Sequence, residues 1–68
     1  MNIRINKTIF NIISSGEPTV RILRVLADIS EDYDVWRHSQ DGDDVLAKPD
    51  ELLHDGDEFY TAPREING

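Results

Sequence analysis

A chain of 68 residues is expected to form one domain, and at that size it buries only about 60% of the surface its unfolded form exposes, which argues against a deep catalytic cleft. Seven basic against 14 acidic residues give a net charge of −7, which argues against binding a phosphate backbone and for solubility or a basic protein partner. There is no cysteine, hence no disulfide and no thiolate nucleophile; no apolar run nears the ~18 residues of a membrane span and no leader precedes the first apolar alternation, so a cytoplasmic location is expected.

Asn2 to Asn6 alternates, with Ile3 and Ile5 on one face beside Met1 and Asn2 and Arg4 on the other, which reads as a half-buried strand. Asn6-Lys7 is a tight turn without the usual glycine at its second position. A second strand follows over residues 9–15, with Phe10 and Ile12 inward and Ile9, Asn11 and Ile13 outward. Ser14-Ser15-Gly16-Glu17-Pro18 breaks it, and Thr19 is placed to cap a helix from Val20 to about Ile29. Val20, Leu23 and Ala27 form the seam laid on the sheet, with Leu26 beside it, while Arg21, Arg24 and Asp28 point to water. Tyr33 to His38 alternates again: Tyr33 and Val35 should face the helix, and Asp34, Trp36 and His38 the other side. After the Asp41-Gly42 turn comes a brief strand at Val45-Leu46, then one helical turn near Pro49 to Leu53, with Leu52 or Leu53 closing the core. Asp55-Gly56 turns the chain into a last strand around Phe59-Tyr60-Thr61. Pro63 has no N–H to give a ladder and should mark where pairing stops, leaving residues 64–68 as a tail outside a 1–63 domain.

Two hairpins flanking one helix, with a last strand inserted beside the first, describe an α+β fold of the β-grasp arrangement: a mixed sheet of four or five strands with one helix across one face. The other face stays open. An enzyme would need a nucleophile beside a base, and none is found: the carboxylate pairs Glu31-Asp32 and Asp50-Glu51 sit in links, and the serines in turns. His38 and His54 read as solvated residues rather than metal ligands, and Asp41-Gly42-Asp43-Asp44 lacks the spacing of a calcium loop. No metal or cofactor is expected. Trp36 is the sharpest candidate, an aromatic on an open sheet face that Ile9, Ile13, Tyr60 and Ala62 could join in a partner-binding patch. A one-residue slip in register would instead turn Trp36 into the core.

With these residues in view the whole chain resembles ubiquitin-like proteins, and most of all the bacterial multiubiquitin-type domains. The resemblance rests on Ile3-x-Ile5-Asn6, on Phe10-x-Ile12, on Thr19 before the helix, and on Asp55-Gly56-Asp57-Glu58-Phe59-Tyr60-Thr61-Ala62-Pro63. It implies a protein modifier whose C-terminal glycine carboxylate is adenylated, passed to a carrier thiol and joined to a target amine as an isopeptide bond. Gly68 would be the conjugated terminus, and Arg64, Ile66 and Asn67 the tail read by the other proteins of the system. The resemblance implies as partners an E1-like activating enzyme, an E2-like conjugating enzyme, a processing peptidase and a target, with antiviral defence as the setting and with no nucleic acid and no membrane. Two features depart from ubiquitin: Asn67-Gly68 replaces a double glycine, and Glu65-Ile66 replaces a basic-leucine pattern. Two rivals remain, a sulfur carrier bearing a C-terminal thiocarboxylate and a non-covalent interaction module from a longer protein.

Overall fold

The computed structural model describes residues 1–13 and 16–64. Among them the chain forms β1 (Asn2–Ile5), β2 (Thr8–Asn11), α1 (Val20–Leu26), β3 (Tyr33–Arg37), β4 (Val45–Leu46) and β5 (Glu58–Pro63). The strands make one mixed sheet in the order β2-β1-β5-β3-β4, in which β5 runs parallel to β1 and antiparallel to β3. The protein is thus a small α+β domain with one helix and a five-stranded mixed sheet.

The first hairpin turns where it was expected to. Asn6 and Lys7 both take positive φ, 48° and 73°, the paired left-handed conformation that matches the twist of two antiparallel strands. Asn6 does more than turn: its side-chain amide donates to Thr61 Oγ1 at 2.8 Å and accepts the Thr61 N–H at 3.0 Å, fixing the hairpin tip to β5. The β2 strand ends at Asn11, short of residue 15, although Ile12 continues the pairing by exchanging two bonds with Met1.

Alternation puts Ile3, Ile5, Val35 and Phe59 on one face of the sheet, where they meet Val20 and Leu23 of α1. Ile12, Ala47 and Leu53 close the margins of this core, which among the described residues holds no buried polar side chain. Leu53 rather than Leu52 is the residue that turns inward.

The helix corrects the sequence reading at both ends. Thr19 sits at the N-cap, but its side chain caps nothing. Instead the Val20 N–H donates to Glu51 O at 2.9 Å and the Arg21 N–H to Pro49 O at 3.0 Å, so segment 49–51 satisfies helix-end donors that would otherwise be orphaned. That segment makes one hydrogen-bonded turn, with the Glu51 N–H on Lys48 O at 3.1 Å, and does not extend into a helix. At the other end Asp28 adopts φ 53°, Asp28 N–H reaches Val25 O, and Ile29 N–H reaches Arg24 O at 2.9 Å. This is a Schellman ending with aspartate where glycine is usual, and it stops the helix at Leu26 instead of near Ile29. Leu26, expected beside the seam, is 52% exposed. Tyr33 has inward parity but lies past the shortened helix and remains 41% exposed, lining a cleft with Phe10, Ala27 and Ile29.

The long link from β4 to β5 is held by Arg37, whose guanidinium lies 4.9 Å above the Phe59 ring. It also meets Asp57 at 2.7 Å and Leu52 O at 3.1 Å. The Asp55-Gly56 turn, with Gly56 at φ 89°, returns the chain beside β1: Asn2 N–H donates to Asp55 Oδ1 and Gly56 N–H to Asn2 O. Gly56 is needed because a side-chain-bearing residue is strained at that φ.

Candidate functional site

The face of the sheet turned away from α1 carries the even-numbered residues of β1, β3, β4 and β5. Val35 is fully buried under the helix, so its neighbour Trp36 stands on the open face. Pairing then brings a row together, with Trp36 between Tyr60 on β5 and Leu46 on β4. Trp36 and Tyr60 are half-buried against one another's strands, and Leu46 is exposed. Ala62 follows Tyr60 on the same face and pairs with Asp34.

Ile9 does not reach this row. It pairs with Arg4, which pairs in turn with Glu58, and an Arg4–Glu58 contact at 3.8 Å lies between Ile9 and the aromatic residues. Ile9 and the almost wholly exposed Ile13 belong to the β2 side of the sheet instead. The structure thus gathers Trp36, Tyr60 and Leu46, adds Ala62 beside them, and leaves Ile9 and Ile13 apart.

Tyr60 is anchored through its hydroxyl, which donates to Asp44 Oδ2 at 2.9 Å. The other oxygen of Asp44 accepts the Ser39 N–H at 3.0 Å and lies 3.1 Å from His38 Nδ1. The Ser39 amide first, then the Tyr60 hydroxyl, hold the Asp44 carboxyl below the usual carboxylate range, with His38 adding to the effect. Its bond to Asp44, helped by partial desolvation, pushes the Tyr60 phenol above its ordinary value. One carboxylate therefore fixes both the 39–44 turn and the orientation of the patch tyrosine. Sequence reading took Asp44 for a turn residue, because its role depends on β5 lying beside β3, which local pattern does not encode. Leu46 was missed as well; its partnership with Trp36 follows only once β3 and β4 are set in register.

His54 is exposed and lies 3.8 Å from Asp57, far along the chain from the His38 cluster. Among the described residues no group of three or more His, Asp or Glu could hold a metal ion. No helix among them is long and apolar enough to cross a membrane.

At the end of β5 pairing runs one residue further than Pro63 was expected to allow. Pro63 pairs with Tyr33, and the Arg64 N–H donates to Asp32 O at 2.8 Å. The Arg64 guanidinium reaches back to Asp34 at 3.3 Å, so Arg64 is tied to the sheet margin and does not begin a loose tail. Proline ends its own donation but leaves the next N–H free to bond. The remaining tail candidates, Ile66, Asn67 and Gly68, lie outside the described residues.

No family model, curated protein or solved structure matches this chain.

Among the described residues no helix covers the Trp36–Tyr60–Leu46 row, which leaves ring area that is large and costs little side-chain entropy to order. A strand bonded on both sides, which delivers the chain to the margin of that same face, is a rigid mount for whatever follows Arg64.

Proposed function

We propose that the protein is a ubiquitin-like modifier of β-grasp fold, joined through the Gly68 carboxyl to an amine of another protein. The observation that carries this reading is the placement of β5. The last strand is inserted between β1 and β3, parallel to the first, and its end leaves at the border of the open face through Arg64. Strand order and the single helix are compatible with the β-grasp arrangement and agree with the sequence resemblance.

The chemistry asks little of the domain itself. An activating enzyme directs a Gly68 carboxylate oxygen at the α-phosphorus of ATP, pyrophosphate leaves, and an acyl adenylate forms. A carrier thiolate displaces AMP, and a lysine amine of the target displaces the thiolate, losing one proton as the amide forms. The domain supplies no catalytic group to these steps. Glycine suits the role because no side chain hinders approach to the carboxyl carbon. A peptidase would trim any residues that follow Gly68. The Trp36–Tyr60–Leu46 row is the surface on which the activating and conjugating enzymes would seat the domain, and Arg64 the basic residue nearest the reacting end. If copies were joined to one another, Lys7 and Lys48 supply the side-chain amines; the Met1 amine is already bonded to Ile12 O at 2.9 Å and is less available.

The aromatic row equally favours a second reading, a non-covalent module in which Gly68 plays no part. One experiment separates the two. Digestion with trypsin, which cuts after Arg64, leaves Glu-Ile-Asn-Gly on the ε-amine of any conjugated lysine. Branched peptides with that remnant are expected from the chain expressed in its own cells and absent after Gly68 deletion. Sulfur in place of one oxygen on an unconjugated terminus would indicate the carrier chemistry. Identical partners with and without Gly68, and no branched peptide, would favour the module.

A further inference from the structure

The outer edge of β2 carries an inference independent of the reading as a modifier. Among the described residues β2 lies at the margin of the sheet, paired to β1 alone. Met1 and Ile12 exchange hydrogen bonds at 2.9 and 2.8 Å, which sets the phase of the antiparallel ladder. The bonded pairs are then Ile12 with Met1, Phe10 with Ile3, and Thr8 with Ile5, so the N–H and C=O groups of Ile9 and Asn11 point away from β1, and the same phase continued by one residue turns those of Ile13 outward too. Among the described residues nothing bonds to them.

Natural sheets blunt such an edge with charge, proline or a bulge. Thr8-Ile9-Phe10-Asn11-Ile12-Ile13 has neither charge nor proline, and its pairing with β1 runs without a break from Thr8 to Ile12. Its outward series also reads the same in both directions: Ile9, Asn11, Ile13. The two isoleucines are 59% and 92% exposed. All 14 acidic residues follow Gly16 in sequence, so the hairpin brings only Arg4, Lys7 and the amino terminus to this edge. Two copies at net charge −7 repel one another over most approaches and least across a strand that carries no acid of its own.

We propose that β2 pairs antiparallel with β2 of a second copy about a two-fold axis at Asn11. Asn11 then faces its own counterpart, and Ile9 of each copy faces Ile13 of the other. In that register every outward N–H and C=O of the three residues finds a partner, and the isoleucines cover each other on the face away from the helix. The contact is isologous and closes on itself, joining two sheets into one. An edge this short buries less than the ~1,200 Å² of stable complexes, so the dimer is weak and transient.

Sedimentation velocity and ¹⁵N-edited NMR on the whole chain, from about 20 µM to about 1 mM, test this in the range where weak pairs fill. Average mass should rise toward that of a dimer. Amide shifts and slowed hydrogen exchange should grow with concentration at Ile9, Asn11 and Ile13, more than at Phe10 and Ile12, whose amides already bond to β1. Ile13→Lys should weaken association at least about tenfold while leaving melting at low concentration unchanged, because that side chain is nearly all in water. Ile9→Lys should act the same way. A monomer at every concentration overturns the proposal, as does association that maps to Trp36 and Tyr60 and ignores Ile13→Lys.

Discussion

The two faces of this sheet are built from different materials. Under α1, Ile3, Leu23, Val20 and Val35 are fully buried, and cohesion comes from apolar area removed from water. On the open face, order comes from polar ties: Tyr60 to Asp44, Arg4 to Glu58, and Arg64 to Asp34. A domain this small has one core to spend on stability, so the side that need not be covered is the side available for recognition. Residues on the two faces alternate along every strand, so adjacent positions such as Val35 and Trp36 should respond to mutation in opposite ways.

The largest effect is expected beneath the helix. Leu23→Ala should cost about 3 kcal/mol, a large part of the stability of a 68-residue domain, measured by urea unfolding. Trp36→Ala, one of the larger truncations possible on the other face, should cost about 1 kcal/mol, because it loses cross-strand contact with Tyr60 and Leu46 but opens no cavity in the core. If the two losses were equal, the faces would not be energetically distinct.

A smaller and opposite effect is expected at the hairpin tip. Lys7→Gly should stabilise the protein by about 0.5–1 kcal/mol, since Lys7 holds φ 73° at a position glycine adopts without strain. Urea unfolding checks this against the same baseline.

Asp44 offers a pH test confined to the open face. Its carboxyl titrates below the ordinary 3.8 in the folded chain, so its contribution is present above 3.8 and is lost as pH falls through the lower folded value. Tyr60 titrates above 10.0, so its contribution is present below 10.0 and is lost as pH rises through the higher folded value. Asp44→Asn should return the Tyr60 phenol toward 10.0 in an ultraviolet titration. A Tyr60 that still titrates high would mean that Asp44 is not what holds it.

Much of the covered face could be read from the sequence, because Ile3, Ile5, Phe10, Ile12, Val35 and Phe59 fall at a period of two and Val20 and Leu23 at helical spacing. The parity of Trp36 followed from the same rule. What could not be read was set by contacts distant in sequence. Thr19 looked like a cap because capping is written locally, yet Glu51 and Pro49 supply the acceptors. Asp28 gave no sign of ending a helix because glycine, the usual signal, is absent there. Ile9 was grouped with Tyr60 because alternation gives the face of a residue but not how many strands separate two of them. Arg64 was placed in a free tail because Pro63 suggested an end to pairing, while its anchor at Asp34 sits on the neighbouring strand.

The claim on which the account turns is that the open face serves recognition and the covered face serves the fold. Trp36→Ala measured twice, for melting temperature and for the yield of Glu-Ile-Asn-Gly branched peptides, tests it directly. The account predicts a fall of about 4–8 °C in melting, as about 1 kcal/mol gives in a domain of this size, together with at least about a tenfold drop in adducts while the protein remains folded. A melting loss as large as that of Leu23→Ala, or undiminished adducts from the folded variant, would contradict it.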